Sequence, residues 1–350
     1  MYATAHSRRH SVAFCRRDAI LFKYPCFLWI VAKQIARNDT AMNYAVLAVD
    51  LGGTNVRMAA VDDSGSILHL VRRPTPTDVT PEQLTELFVR MADECRTATS
   101  REFSAIGIGV PANVTSSGVL HHLPNIPSLE DADLTDMVSR RLGMPVVLEN
   151  DATAAAIGES WLGAAKEVAD FILITLGTGV GGGVFVNGKP LRGPDGGAGK
   201  LGHICVEPDG HPCGCGSHGC IEQYASATAL VRLAHEAGLE VTDSHELFDK
   251  WKEGDQTSKR VFDNMARHLG ITLAGLVNTF NPEMIVIGGG ASAGWDAFYE
   301  PLAKEILYRA FEEPARRAKL VRTSLGDDAG ILGAARSAIL NAKCEILNAN

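Results

Sequence analysis

The sequence predicts an α/β fold built on mixed sheets, and three observations predict it. Apolar strand runs alternate with helical patterns from residue 46 onward, the grammar of α/β layers. Two glycine-turned hairpins, "VLAVDLGGTNVRMAAVDDSG" from residue 46 and "FILITLGTGVGGGVFVNGK" from residue 171, add antiparallel strands. Leu51-Gly52-Gly53-Thr54 and Leu176-Gly177-Thr178-Gly179 stand 125 residues apart in equivalent places. They read as a duplicated unit, although spacing alone equally allows two unrelated hairpins. Finally, a chain of 350 residues is of a size that usually divides into two domains.

The elements follow in order. The second strand of the first hairpin ends in a turn at Asp63-Ser64-Gly65. Leu84, Leu87, Phe88 and Met91 recur at helical spacing across 81–99, and "AIGIGVP" (105–111) is a buried strand stopped by proline. "DLTDMVSRRLG" (133–143) carries an Asp cap, an amphipathic helix and a Gly stop. "PVVLEND" (145–151) is a strand that runs into an Ala-rich helix, "ATAAAIGESWLG". Further helices are expected at "YASATALVRLAHEAG" and "VFDNMARHLGITLAGLVNTF". "NPEMIVIGGG" (281–290) is a strand climbing into three glycines, and "DDAGILGAARSAILNA" (327–342) is a closing small-residue helix.

Composition narrows the function. A net charge of −8 argues against a nucleic-acid partner, which favours a basic face. The first 41 residues hold seven Lys/Arg against Asp18 and Asp39, a net of +5, which leaves −13 on the remainder. The apolar run 19–32 in that segment is interrupted by Lys23 and Pro25 and is too short to span a bilayer. Residues 1–41 are therefore expected to be a disordered or misannotated extension, with Met42 as the natural start. The protein is expected to be cytoplasmic, with no membrane partner.

The stretch "GGAGKLGHICVEPDGHPCGCGSHGCIEQ" (196–223) offers two chemistries. A phosphate-binding P-loop needs G-x-x-x-x-G-K-[ST], but Pro194 stands five before Gly199 and Leu201 follows Lys200, so the match fails twice. The cysteines are more telling. Of eight, at 15, 26, 95, 205, 213, 215, 220 and 344, three crowd into eight residues, the pattern of a metal site rather than a disulfide framework. Cys213, Cys215 and Cys220 supply three thiolates for zinc, and His203, His211 and His218 are all near enough to be the fourth ligand. Phosphate is better served by the two hairpin turns, where glycines expose backbone N–H groups and Thr54 and Thr178 add hydroxyls. Asp50, at a strand end, is placed to hold Mg²⁺ through water. Gly288, Gly289 and Gly290 would let a nucleotide's base or ribose lie against the backbone.

"DLGGTNVR", "LENDATAAAIGE", "LGTGVGGGV", "GHICVEPDGHPCGCGSHGCIEQYAS" and "NPEMIVIGGG" together resemble the ROK family of sugar kinases and repressors, over about residues 44–340. Within it the likeness is strongest to bacterial glucokinases. The resemblance implies an actin/hexokinase-like (ribonuclease H-like) fold of two α/β domains, 42–161 plus 333–350 and 162–332, closing an inter-domain cleft on hexose and ATP, often as a homodimer. It implies that Asp50, Gly52, Gly53, Thr54 and Asn55 form one phosphate loop and Thr178 with Gly179 the second. Asn150 and Asp151 match the sugar-binding pair, with Asp151 the catalytic base, while Asn125, His203 and Glu222 match further sugar contacts. His203, Cys213, Cys215 and Cys220 match a structural zinc set that aims the sugar loop. The activity implied is ATP-dependent phosphorylation of a hexose, glucose at the 6-hydroxyl first, with fructose, mannose and N-acetylhexosamines as alternatives. A weakly catalytic sugar sensor is a further alternative. A repressor is disfavoured because only 41 residues precede the fold, without a helix-turn-helix pattern.

One position departs from the family. Where "GE-x-GH" is usual, with the glutamate accepting hydrogen bonds from sugar hydroxyls, this chain reads "GKLGH". An ammonium donates three hydrogen bonds and accepts none, so Lys200 reverses both charge and polarity. It is expected either to swing into solvent or to pair with Glu222, and in both cases to weaken or shift sugar preference.

Overall fold

The computed structural model describes residues 45–349 except 77, 116, 122, 124 and 125, so the extension 1–41 and Asn125 lie outside the described residues. The first half runs β1 (Ala45–Leu51), β2 (Asn55–Asp62), β3 (Ile67–Pro74), α1 (Pro81–Thr99), β4 (Ile106–Val110), a short ribbon of β5 (Asn113–Val114) and β6 (Leu120–His121), α2 (Leu134–Leu142), β7 (Val146–Asn150) and α3 (Asp151–Leu162). The second runs β8 (Phe171–Leu176), β9 (Val180–Val186), β10 (Lys189–Pro190), α4 (Glu222–Ala225), α5 (Ala227–Glu236), α6 (Ser244–Lys252), α7 (Gln256–Phe280), β11 (Met284–Gly288), α8 (Trp295–Arg309), α9 (Glu312–Arg317), β12 (Lys319–Arg322) and α10 (Ala329–Ala349).

The two sheets have one design. Their strand orders are β3-β2-β1-β4-β7 and β10-β9-β8-β11-β12. In each, an antiparallel meander is extended by two parallel strands on the far side of its first strand. The glycine turns after Leu51 and Leu176 join the first two strands of each meander. The repeated glycines therefore belong to a duplicated unit, not to two unrelated hairpins.

Alternation along the strands builds the layers, since successive side chains point to opposite faces. On β1, Leu47 and Val49 join Phe88 and Met91 of α1, while Val46 and Ala48 join Ile331 and Ala335 of α10. On β8, Ile172 and Ile174 join Phe262 and Leu269 of α7, while Phe171 and Leu173 join Ala155 and Ile157 of α3. Burying Phe88 or Phe262 fully contributes about 1.5–3 kcal/mol each. Local signals bound the helices: Thr80 and Gln83 form a reciprocal capping box on α1, and Asp133 caps α2, which Gly143 ends at φ +67°. Helices α3 and α10 cross at glycine. A Cβ on Gly333 would stand 1.6 Å from the Ala154 carbonyl oxygen, and one on Gly158 2.2 Å from that of Ala329, so no side chain fits at the crossing.

Candidate active site

Strand β7 ends at Asn150 and α3 begins at Asp151. Asn150 takes the capping role, its Oδ1 accepting from the Thr153 N–H at 3.2 Å, which leaves Asp151 free of it. Asn150 Nδ2 donates to the Ala112 carbonyl at 3.2 Å and to Asp151 Oδ1 at 2.9 Å, and the Ala152 N–H donates to that same oxygen at 2.8 Å. Asp151 Oδ2 accepts no hydrogen bond among the described residues. Burial pushes the Asp151 carboxyl above the usual carboxylate range and the Asp50 charge adds to this, while the Ala152 N–H and the Lys200 charge hold it down. A carboxylate so placed is braced on one oxygen and able to take a proton on the other.

Asp50, near the end of β1, is held by Arg57, its cross-strand partner on β2. Arg57 Nη2 and Nε reach Asp50 Oδ2 at 2.8 and 3.2 Å, and Arg57 also donates to the Asp327 carbonyl and lies 3.5 Å from Asp328 Oδ1. Asp50 thus keeps Oδ1 unbonded toward other ligands. Sequence reasoning missed Arg57. Its one signal is a lone arginine within the apolar run of β2, where a buried cation requires a partner.

Asp50, Arg57 and Asp151 line a cavity of about 240 Å³ together with Thr175, Gly288, Gly289, Thr323 and Asp327. Carboxylates from the first sheet and its helix thereby meet the glycine-rich end of β11 from the second. The turns Gly52–Asn55 and Thr178–Gly179 stand outside this lining, as do Gly290, Asn150, Lys200, His203 and Glu222. Gly53, Thr54, Asn55 and Gly290 are exposed. The first turn is closed by the Gly52 N–H on Asn55 O at 2.9 Å and supported by Thr75, whose hydroxyl donates to Gly52 O at 2.7 Å. In the second turn, Gly179 is required by Glu222 at the start of α4. The Glu222 Oε2 accepts from the Val180 N–H at 3.0 Å and would meet a Gly179 Cβ at 2.4 Å.

Lys200 corrects an expectation. It neither swings out to solvent nor pairs with Glu222; its partly buried ammonium has its electrostatic partner in Asp151. Burial lowers the Lys200 pKa from its ordinary value, and the Asp151 charge opposes that fall. In the same loop Arg192 forks the buried Glu149, two residues before Asp151, at 2.5 and 3.3 Å.

His203, Cys213, Cys215 and Cys220 form the second cluster, with ligand atoms all within 4.8 Å of one another. Cys215 and Cys220 Sγ are 3.7 Å apart, and Cys213 Sγ is 3.6 Å from His203 Nδ1. A zinc tetrahedron has edges of about 3.8 Å between sulfurs and about 3.5 Å between sulfur and nitrogen, so the donors fit that ion. Burial and the neighbouring thiols push the Cys220 thiol up to about 12, so holding three thiolates here takes a cation. His211 is engaged elsewhere, 2.9 Å from Arg232 Nη1. Cys213 Sγ also lies 3.8 Å from Glu222 Oε1, which connects the cysteine cluster to the second glycine turn.

Two five-stranded α/β sheets of one design, with Asp50 and Asp151 meeting the glycines that end β11, define the actin/hexokinase-like class. The ROK family model matches residues 46–340, and the chain belongs to the ROK family. It is 36% identical over 309 residues to a glucokinase of Thermotoga maritima, covering 83% of this chain and 96% of that one. The fold matches a ROK hexokinase from Thermus thermophilus with a TM-score of 0.75 at 37% identity, covering 86% of this chain and 99% of that one. It also matches a ROK family glucokinase from Streptomyces griseus, solved with glucose and AMPPNP, with a TM-score of 0.72 at 34% identity, covering 84% and 99%.

Proposed function

We propose that this protein is an ATP-dependent hexose kinase that phosphorylates glucose at the 6-hydroxyl. The observation that carries the reading is Asp151: a buried carboxylate braced on Oδ1, free on Oδ2, and sharing a cavity with Asp50 and the β11 glycines. Its relatives named glucokinase support glucose as the acceptor. In the transfer, Asp151 takes the proton of the sugar hydroxyl as that oxygen bonds to the γ-phosphorus of ATP. The bond from that phosphorus to the β–γ bridging oxygen breaks, and ADP leaves.

The remaining roles follow the chemistry of the groups. Asp50 would hold Mg²⁺ through water with the oxygen that Arg57 leaves free, and the ion would supply charge neutralisation at the phosphates. Gly52, Gly53, Thr54 and Asn55 on one turn, and Thr178 and Gly179 on the other, would offer donors to phosphate oxygens. Gly288, Gly289 and Gly290 would take the nucleoside. Asn150, Lys200, His203 and Glu222 would surround the sugar, with Asn125 a further contact. His203, Cys213, Cys215 and Cys220 would hold one structural zinc that orients the loop carrying His203 and Glu222. The homodimer, the cytoplasmic location and the division into domains 42–161 plus 333–350 and 162–332 belong to the same reading. No helix of the described residues is long and apolar enough to cross a membrane.

The test is a panel of hexoses with Mg-ATP and coupled detection of ADP. Glucose should give the highest kcat/KM; ADP formation that no sugar raises above the sugar-free rate would remove the kinase reading. Lys200 favours a second reading, a hexose with a hydrogen-bond acceptor beside the reacting face. An N-acetylhexosamine outrunning glucose in the same panel would establish it.

A further inference from the structure

Cys205 is an exposed thiol with no place in the metal set. Its backbone is paired antiparallel with that of Cys220, which is fully buried and belongs to that set. The flanking bonds run from the Val206 N–H to Gly219 O at 2.8 Å and from the Ile221 N–H to Ile204 O at 2.9 Å. The two cysteines therefore occupy a non-hydrogen-bonded antiparallel pair, the closer of the two pair types, with Cα atoms typically about 4.5 Å apart. That spacing falls inside the range a disulfide bridges, about 4.4–6.8 Å. The cluster thus has an outer thiol beside one of its own four residues, on segments already in register.

We infer that Cys205 and Cys220 are a redox-active pair whose disulfide competes with metal for Cys220. The oxidant is a peroxide. The Cys205 thiolate attacks one peroxide oxygen, the O–O bond breaks, and a sulfenic acid and water (or alcohol) result once a proton is taken up. The Cys220 sulfur then attacks the Cys205 sulfur, forming the S–S bond and expelling the sulfenic oxygen as water. Two electrons pass from the thiols to the peroxide, and the cation loses one of its four ligands. Cys220 is two residues from Glu222, and Cys205 is two residues from His203, so both proposed sugar contacts lose their common anchor. The inference rests on the zinc reading for its consequence but not for the linkage itself.

The experiment uses the full chain as purified, with its zinc first counted by elemental analysis. The protein is treated with hydrogen peroxide, alkylated to trap free thiols, and mapped by peptide mass without reduction, while a chromogenic chelator follows zinc release. A Cys205–Cys220 link should form, be reversed by a thiol reductant, and appear together with released zinc. In Cys205→Ser, at an exposed position, both the link and the early zinc release should be lost. A different link, such as Cys213–Cys215, or equal zinc release from Cys205→Ser and wild type, would overturn the inference. Absence of zinc from the untreated protein would remove the metal reading alone, since the mapped link still decides the pair.

Discussion

Asn150 and Asp151 are neighbours of opposite use. The first spends its amide on the helix N-terminus, on Ala112 and on its neighbour, so the second can keep an unbonded oxygen in the cavity. Asp151→Asn keeps the shape but removes the proposed proton acceptor. It should lower kcat by roughly 10²–10⁴-fold with sugar binding nearly intact, checked by steady-state kinetics and glucose titration. Near-wild-type turnover would take the base away from Asp151. Lys200 acts on the same group. As the proposed base Asp151 must be a carboxylate, so activity should fall as pH drops through its pKa, which burial already holds above the usual range and the Lys200 charge pulls back. Lys200→Met should therefore move the acid limb of kcat/KM to higher pH, and Lys200→Glu should move it further. Against glucose, Lys200→Glu should also raise kcat/KM near neutral pH by about tenfold, because a carboxylate accepts from sugar hydroxyls that an ammonium cannot satisfy. An acid limb that stays in place in both variants would show that Lys200 does not face the base. Asp151 was reached through the family resemblance, since an acid at a strand end before a helix reads locally as a plain helix cap. The pairing of Lys200 with Asp151 was not legible either, because it joins groups far apart in the chain.

At the scale of elements, what could be read was what is encoded locally. α1 and α2 lie where helical spacing and the Asp133 cap put them, while the caps Thr80 and Asn150 are local signals that went unread. β3, β12, α6, α8 and α9 were not anticipated. β12 is a four-residue edge strand, "KLVR", without a fully buried residue, and its pairing with β11 is the only reason it is a strand. Helices α8 and α9 contain Pro301 and Pro314, which mask a helical pattern. α7 begins at Gln256, five residues before its apolar pattern, because Asp255 caps it through the Ser258 N–H at 2.7 Å. The cysteine loop was legible for the opposite reason: its chemistry is concentrated in a few adjacent residues. Cys215→Ser should release zinc, measured by elemental analysis. It should weaken glucose affinity more than nucleotide affinity, because His203 and Glu222 flank the cluster while the β11 glycines do not. Full zinc content in that variant would exclude Cys215 from the ligand set.

At the scale of the whole molecule, the duplication was visible as two glycine turns, whereas the contacts of Glu159 with Leu325 and of Arg57 with Asp328 were not, since each spans well over a hundred residues. Glu159 is the clearest. It lies on α3, after the first sheet, with no exposed surface. Its carboxylate accepts from the Leu325 N–H at 3.0 Å and the Ala164 N–H at 2.6 Å, and from the Thr323 hydroxyl. Thr323 follows β12 of the second sheet and lines the same cavity as Asp50 and Asp151. Arg57 holds the next part of that segment through Asp327 and Asp328, so residues 323–328 are fastened to the first half from two sides. Glu159→Ala leaves backbone donors buried without acceptors, at about 1–3 kcal/mol each, and frees a wall of the cavity. The variant should melt at a lower temperature and show a raised KM for ATP with a smaller change for glucose, because the loosened segment adjoins the β11 glycines rather than the cysteine loop. Thermal unfolding followed by calorimetry, with KM measured for each substrate, separates the two effects. A variant that melts with the wild type, or whose glucose KM rises more than its ATP KM, would show that Glu159 does not brace the nucleotide side.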